Sequence, residues 1–377
     1  MPQLSKQTDK IWLSCPEIPL GTALSSSDIR CISTAIVKIL LQRSEHSVTS
    51  DTTPNQKLLP DLGEFFQAIQ TSDRIYKASL SRQLAADLSP NIEETSLKDE
   101  PQDWFIKTAD YGDECDRILQ HRDGEFTQLL EDIARYHQIF QEGYDKIILI
   151  RSPIYTGYDI QLIASMQALN YTKEQFQFII IQPIKLYAFH IPTQQVHPIP
   201  DIATDELIQA IGMDALHWHS LRVPLTSPAP INISTAGQPT PTDSLYPIQS
   251  AHVRCCTLLQ QAHQQGIIQL DKRSPNNWQI TPSPVSLSEY SWDSPHAQTL
   301  VSQLQAVPDI LQQSAAEIAF QKVCLHLEAI ANNCNQWCDS LMPTLQDCYL
   351  LLATKQTIFD LLENILTITA PYSWAAS

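Results

Sequence analysis

One stretch constrains the fold more than any other, Asp145 to Ile181. It opens on Lys146-Ile-Ile-Leu-Ile150, an apolar run short enough for a strand and too continuous for one with a wet face. Ser152 to Gly157 reads as a loop. From Ile160 to Leu169 the residues Leu162, Ile163, Met166 and Leu169 fall on one helical face. Phe176 to Ile181 is a second apolar strand. Strand, loop, helix and strand make a βαβ unit, which calls for a parallel sheet and a right-handed crossover. Ligands of such sheets sit at the carboxyl ends of the strands, so chemistry is expected in the loop after Ile150.

The rest of the chain narrows the function by exclusion. Its 377 residues suffice for two or three domains. The formal charge of −17 argues against a protein coated along nucleic acid, where affinity depends on Lys and Arg reaching phosphates. One local RNA site is still compatible with it, because net charge describes the far field. No apolar run approaches the roughly 18 residues of a membrane span. The opening MPQLSKQTDK has no apolar signal region. The expectation is a cytoplasmic protein without a membrane partner. The nine cysteines include no CxxC, and the nearest sets are Cys255-Cys256 and Cys334, Cys338, Cys348. They read as buried free thiols, and no metal ligands are assigned. The nine glycines are too far apart for a phosphate-cradling GxGxxG or GxxxxGK[ST] loop.

Taken in order, residues 1–103 read as a helical and irregular region with polar linkers. Ile29, Ile32, Ala35, Ile36, Ile39 and Leu40 suit a helix ending near Gln42, with Ser27 or Asp28 as its cap. A second helix is expected from about Pro60 to Ala86. Residues 104–223 hold the α/β domain. Its last helix, TDELIQAIGMDALHWHSLRV, is expected to start on Thr204 as N-cap and to bury Leu207, Ile208, Ile211 and Ala215. Residues 224–247, rich in Pro, Ser and Thr, read as a linker. From Ile248 onward the pattern is nearly all helical, beginning with Ser250 to Gly266 and its C-cap glycine.

Several short motifs agree in order and spacing with one family. GDECDRIL (Gly112 to Leu119), DGEFT (Asp123 to Thr127), DIA (Asp132 to Ala134) and GYD (Gly143 to Asp145) lead to SPIYTGY (Ser152 to Tyr158). This block resembles the second half of the catalytic domain of arginyl-tRNA synthetases. SAHVRCCTLL, Cys334-Asn335-Gln336-Trp337-Cys338 and Ala370-Pro371 resemble the DALR anticodon-binding domain of that family. The resemblance covers residues 104–377. It implies a remnant Rossmann-like α/β domain with a parallel sheet, followed by an all-α DALR-type helical bundle over 248–377.

The resemblance also shows what the chain lacks. Residues 1–103 contain one histidine, His46, and no HxGH. No lysine lies between Lys185 and Lys272, where the family has its KMSK loop. Those groups meet the charge that builds on ATP as the amino acid attacks, so no catalytic residue is assigned here. The family's arginine pocket maps to Gln128, where it has Tyr, to Asp132, which is kept, and to Ile154, Tyr155 and Thr156 in place of its acidic and histidine positions. Asp116, Arg117 and Asp123 read as a structural ion pair and turn. His252, Arg254, Asn335 and Trp337 are the candidate RNA contacts, each weighed against a core role.

Three functions follow as expectations. The first is a catalytically silent, synthetase-like protein that binds tRNA or another structured RNA. The second is a regulatory protein holding a protein partner on the old scaffold. The third is a ligase with residual activity, and only there would ATP be needed; otherwise no cofactor is expected.

Overall fold

The computed structural model describes residues 9–14, 35–43, 47–50, 61–79, 102–190, 195–200, 202–274, 277–283, 287, 290–339 and 341–373. In chain order the elements begin with β1 (Lys10–Ser14), α1 (Ala35–Arg43), β2 (Ser47–Ser50), α2 (Leu62–Ile69), β3 (Ile75–Ala78), β4 (Asp103–Ile106) and β5 (Arg117–Gln120). Next come α3 (Gln128–Gln141), β6 (Lys146–Arg151), α4 (Thr156–Ala168), β7 (Phe176–Ile180), β8 (Ile184–His190) and β9 (Gln195–Pro198). They are followed by α5 (Thr204–Ile211), α6 (Met213–Leu221), β10 (Ala229–Asn232) and α7 (Tyr246–Gln264). The last are β11 (Gln269–Ser274), β12 (Asn277–Thr281), α8 (Pro295–Glu317), α9 (Phe320–Cys338) and α10 (Leu345–Phe359). The chain divides into two compact units, residues 1–17 with 46–180 and residues 18–45 with 181–377.

The first unit is built on a four-stranded, all-parallel sheet in the order β2-β1-β6-β7. The expected βαβ unit is its β6-α4-β7 portion. Ile147, Ile148, Leu149 and Ile150 are each at most 1% exposed, which makes β6 the centre of the core. Each such burial contributes roughly 1.5–3 kcal/mol. β1 pairs with β6 from Ile11↔Lys146 to Ser14↔Leu149. Its start is fixed by the Lys10 amide, which donates to Asp145 Oδ2 at 2.8 Å. Residues 1–103 therefore supply two strands of the very sheet that the sequence reading began at residue 104.

A second sheet, β3-β4-β5, is antiparallel. It corrects the long helix expected from Pro60 to Ala86. Asp61 caps α2 by accepting from the Glu64 amide, and the helix stops at Ile69. Ile75-Tyr-Lys-Ala78 then pairs antiparallel with β4, with Ile75 and Ala78 buried. Asp113 forms the ion pair with Arg117 at 2.6 Å, while Asp116 accepts from Tyr76 Oη at 2.7 Å. Asp123 accepts from the Glu125 amide in the turn at Gly124, so this set holds architecture.

The second unit begins with the sheet β10-β8-β9, in which β10 runs parallel to β8 and β9 antiparallel. Here the linker expectation over 224–247 fails. Ala229, Ile231 and Ala236 are buried in a cluster with Leu207, Ile211 and Leu216. Asp243, 3% exposed, accepts from the Gly237 amide at 2.9 Å and pairs with His219 at 3.0 Å. Pro and Ser content signalled turns, but the small apolar residues between them are core. The expected helix from Thr204 is split by Gly212 at φ +81°, and Ala203 rather than Thr204 occupies its N-cap position.

The helical part packs α7 against α9 and α10, and α8 against α9. α1 packs on α8. The upstream part of the expected N-terminal helix, with Ser27 and Asp28, lies outside the described residues. α7 ends at Gln264, followed by Gly266 at φ +76° as the C-cap pattern required. The hairpin β11-β12 interrupts the helices, which composition alone did not indicate. No helix among the described residues is long and apolar enough to cross a membrane.

Candidate functional site

Two places were expected to carry chemistry, the strand ends of the parallel sheet and the first helix of the bundle. At the sheet the four strands end on Ser14, Ser50, Arg151 and Ile180. Arg151 is the cation among them, and its guanidinium turns inward to Tyr136 and Asp159. A triphosphate at these strand ends would meet no outward-facing cation among those four residues. Asp132, on α3, is half-buried and accepts from Tyr158 Oη at 2.5 Å. Burial and the neighbouring Asp132 carboxylate raise the Tyr158 phenol well above its ordinary value. Gln128 opens α3 and is exposed, and Tyr155 is 47% exposed in the single turn after β6. The three pocket positions are thus an inward-bonded carboxylate and two outward side chains.

At the bundle, Tyr246, Ser250, Arg254 and Thr257 recur at helical spacing along α7 and line a cavity of about 420 Å³ together with Cys338. Arg254 is held in place by α9. It donates to the Asn335 backbone carbonyl at 3.0 Å and pairs with Asp339 at 2.8 Å. Asn335 donates its Nδ2 to the Pro247 carbonyl at 3.0 Å. Its Oδ1 is buried without a partner. Arg254 and Asn335 are thus in contact.

The other two candidates are core residues. Trp337 is 7% exposed and His252 is 0% exposed. Both lie on inward faces of their helices, which corrects their assignment as RNA contacts. His252 Nδ1 donates to the Pro371 carbonyl at 2.7 Å, leaving Nε2 buried without a hydrogen bond. Beside it Lys355, also 0% exposed, sits 5.0 Å from the ring of Trp278 and 5.2 Å from those of Phe359 and Tyr372. Cation–π attraction partly replaces its lost hydration.

Burial, together with the Lys355 charge, lowers the His252 pKa from 6.5 to about 4, against the raising effect of the Pro371 carbonyl. The folded chain then keeps this imidazole neutral at a pH where the unfolded chain protonates it. Stability from the neutral form is complete above pH 6.5 and is lost as pH falls towards about 4. The full loss is on the order of 3 kcal/mol. Urea unfolding of wild type and His252→Asn at pH 7 and 4.5 is expected to show a clearly shallower pH dependence in the variant.

The cysteines behave as core. Cys255 Sγ lies 3.5 Å from Cys334 Sγ, which lies 3.9 Å from Cys338 Sγ, and the described thiols are free. The contact with Cys255, with burial, holds the Cys334 thiol well above its ordinary value, far from the thiolate needed for reactivity. No group of His, Cys, Asp or Glu among the described residues is arranged to hold a metal ion. Sequence reading missed Arg151, Tyr136, Tyr158 and Asp159. The available signal was a charged residue closing an apolar strand at the ligand end of a parallel sheet.

Residues 248–371 match the DALR anticodon binding domain model. An arginine–tRNA ligase of Synechococcus sp. (strain JA-3-3Ab) is 27% identical over 339 residues, covering 84% of this chain and 53% of the relative. The chain spans about half the length of that relative. One from Oceanobacillus iheyensis is 32% identical over 164 residues, 43% of this chain and 29% of the relative. Among solved structures, the Thermus thermophilus arginyl-tRNA synthetase superposes with a TM-score of 0.59 at 12% identity, over 91% of this chain and 63% of that one.

Proposed function

We propose that the chain is a catalytically silent member of the arginyl-tRNA synthetase family that binds tRNA through its DALR domain. The observation that carries the reading is the DALR match over 248–371, on a bundle whose first helix lines an open cavity with Arg254 at its edge. A cavity of that size admits one unstacked base, with Arg254 beside the phosphate. The Asn335 backbone carbonyl helps to fix the Arg254 guanidinium there.

Charge sets the strength of such binding. Residues 248–371 contain five Lys or Arg and ten Asp or Glu. One of the five, Lys355, is buried. Binding through this bundle is therefore weak and modest in its salt dependence, with a log–log slope no steeper than about −4. Filter binding with bulk tRNA at low and moderate salt tests it. Arg254→Ala is expected to weaken binding several-fold and to flatten the slope by about 1. Absence of binding even at low salt would sink the proposal.

A second reading, a protein partner on the first unit, is favoured by one specific feature. Ile154, Tyr155 and Ile160 are 81%, 47% and 48% exposed on the segment after β6. Apolar side chains grouped on a surface commonly mark an interface. Recovery of one stoichiometric protein and no RNA on affinity purification would favour this reading over the first. ATP enters only a third reading, residual ligase activity, and the inward-turned Arg151 does not fit a triphosphate site.

A further inference from the structure

The strand ends of the parallel sheet hold a polar cluster that neither RNA nor protein binding uses. Arg151, at the end of β6, is its centre, with a side chain 17% exposed. Its Nη2 donates to Tyr136 Oη at 3.0 Å, and its Nε lies 3.6 Å from Asp159 Oδ1. Tyr136 is 1% exposed, and its hydroxyl lies 3.5 Å from Ser14 Oγ at the end of β1. Asp132, held by Tyr158, adds a second carboxylate to the field around the guanidinium. β1, α3, β6 and α4 thus converge on one cation.

The acceptors suit a guanidinium in particular. A guanidinium presents its donors as a rigid planar fork, so its acceptors lie at fixed directions on more than one side of it. Here a phenol oxygen lies on one side and a carboxylate on the other. Asp159 is 4% exposed, and neither of its oxygens has a hydrogen-bond partner. At 3.6 Å the buried carboxylate faces the guanidinium as an ion pair longer than a direct hydrogen bond. The cluster also lies at the strand ends, where parallel sheets take their ligands.

We infer that this cluster is a guanidinium-binding site that the chain fills with its own Arg151. Occupied from within, it is closed to free guanidino compounds, L-arginine included. The site stands on geometry in the first unit alone and is independent of whether the bundle binds tRNA.

Complementation tests it. Arg151→Ala leaves a cavity with the shape of ethylguanidinium. Its melting midpoint is expected to fall by roughly 5–10 °C, as for a buried pair that loses one partner. Ethylguanidinium chloride at about 10 mM is expected to recover at least half of that loss while leaving wild type unchanged. Ethylurea has the same shape without the charge and is expected to recover nothing. The double variant Arg151→Ala/Asp159→Asn is expected to be insensitive to both. If Arg151→Ala is insoluble, its refolding yield in ethylguanidinium against ethylurea is read the same way. Equal recovery by the two additives, recovery by neither, or saturable binding of L-arginine to wild type by calorimetry would overturn the inference.

Discussion

Arginine-dependent exchange of pyrophosphate into ATP is expected to run at least 10⁴-fold more slowly with this chain than with a full-length arginine–tRNA ligase, with or without tRNA. The figure of roughly 10⁴ follows from what the reaction needs. Attack on the α-phosphate builds charge on the triphosphate, which fixed donors and cations must meet. Each such group contributes about 3 kcal/mol, and two absent motifs together remove about 6 kcal/mol, or some four powers of ten. The chain has no HxGH among residues 1–103 and no lysine between Lys185 and Lys272. Arg151, the cation at the strand ends, is committed to Tyr136 and Asp159. The measurement is the exchange assay on purified protein, beside a relative under identical conditions. A rate within a hundredfold of the relative would overturn the silent-enzyme reading.

Gly237→Ala is expected to lower the stability of the second unit by about 3 kcal/mol or more. Gly237 lies at φ +74°, where a side chain already costs about 1–2 kcal/mol. A Cβ there would lie 2.1 Å from the Ile211 carbonyl oxygen and 2.9 Å from its carbon. Both are backbone atoms at the last residue of α5, so relief requires moving the helix end or the turn. That turn also carries the Gly237 amide's bond to Asp243. Gly124→Ala is the control. Its φ is +94°, but an added Cβ meets nothing within 4 Å. It is expected to cost about 1 kcal/mol. Equal urea midpoints for the two variants would remove the close approach as the cause.

The contrast between those glycines illustrates what the sequence made legible. The β6-α4-β7 unit could be read because its apolar runs are continuous and adjacent. β1 and β2 could not, because each is four or five residues long and finds its sheet partner far away along the chain. Short strands gain their identity from pairing, and pairing is not local. The segment 224–247 looked like a linker because Pro and Ser dominate its composition, yet Ala229, Ile231 and Ala236 bury it. At the bundle, Arg254 and Asn335 are in contact. His252 and Trp337 share their motifs but face inward, a difference that helical phase decides and residue type does not. Arg151 belonged to no motif, so only the geometry of its neighbours drew attention to it.

The cage around Lys355 has a consequence for following motion. An ammonium enclosed by Trp278, Phe359 and Tyr372 is out of reach of acylating reagents and of trypsin while the bundle is closed. Tyr372 comes from the segment beyond the last helix, so release of that segment uncovers the amine. The labelling rate of this one lysine is therefore an intrinsic clock for local opening of the bundle, built into the chain without any added probe.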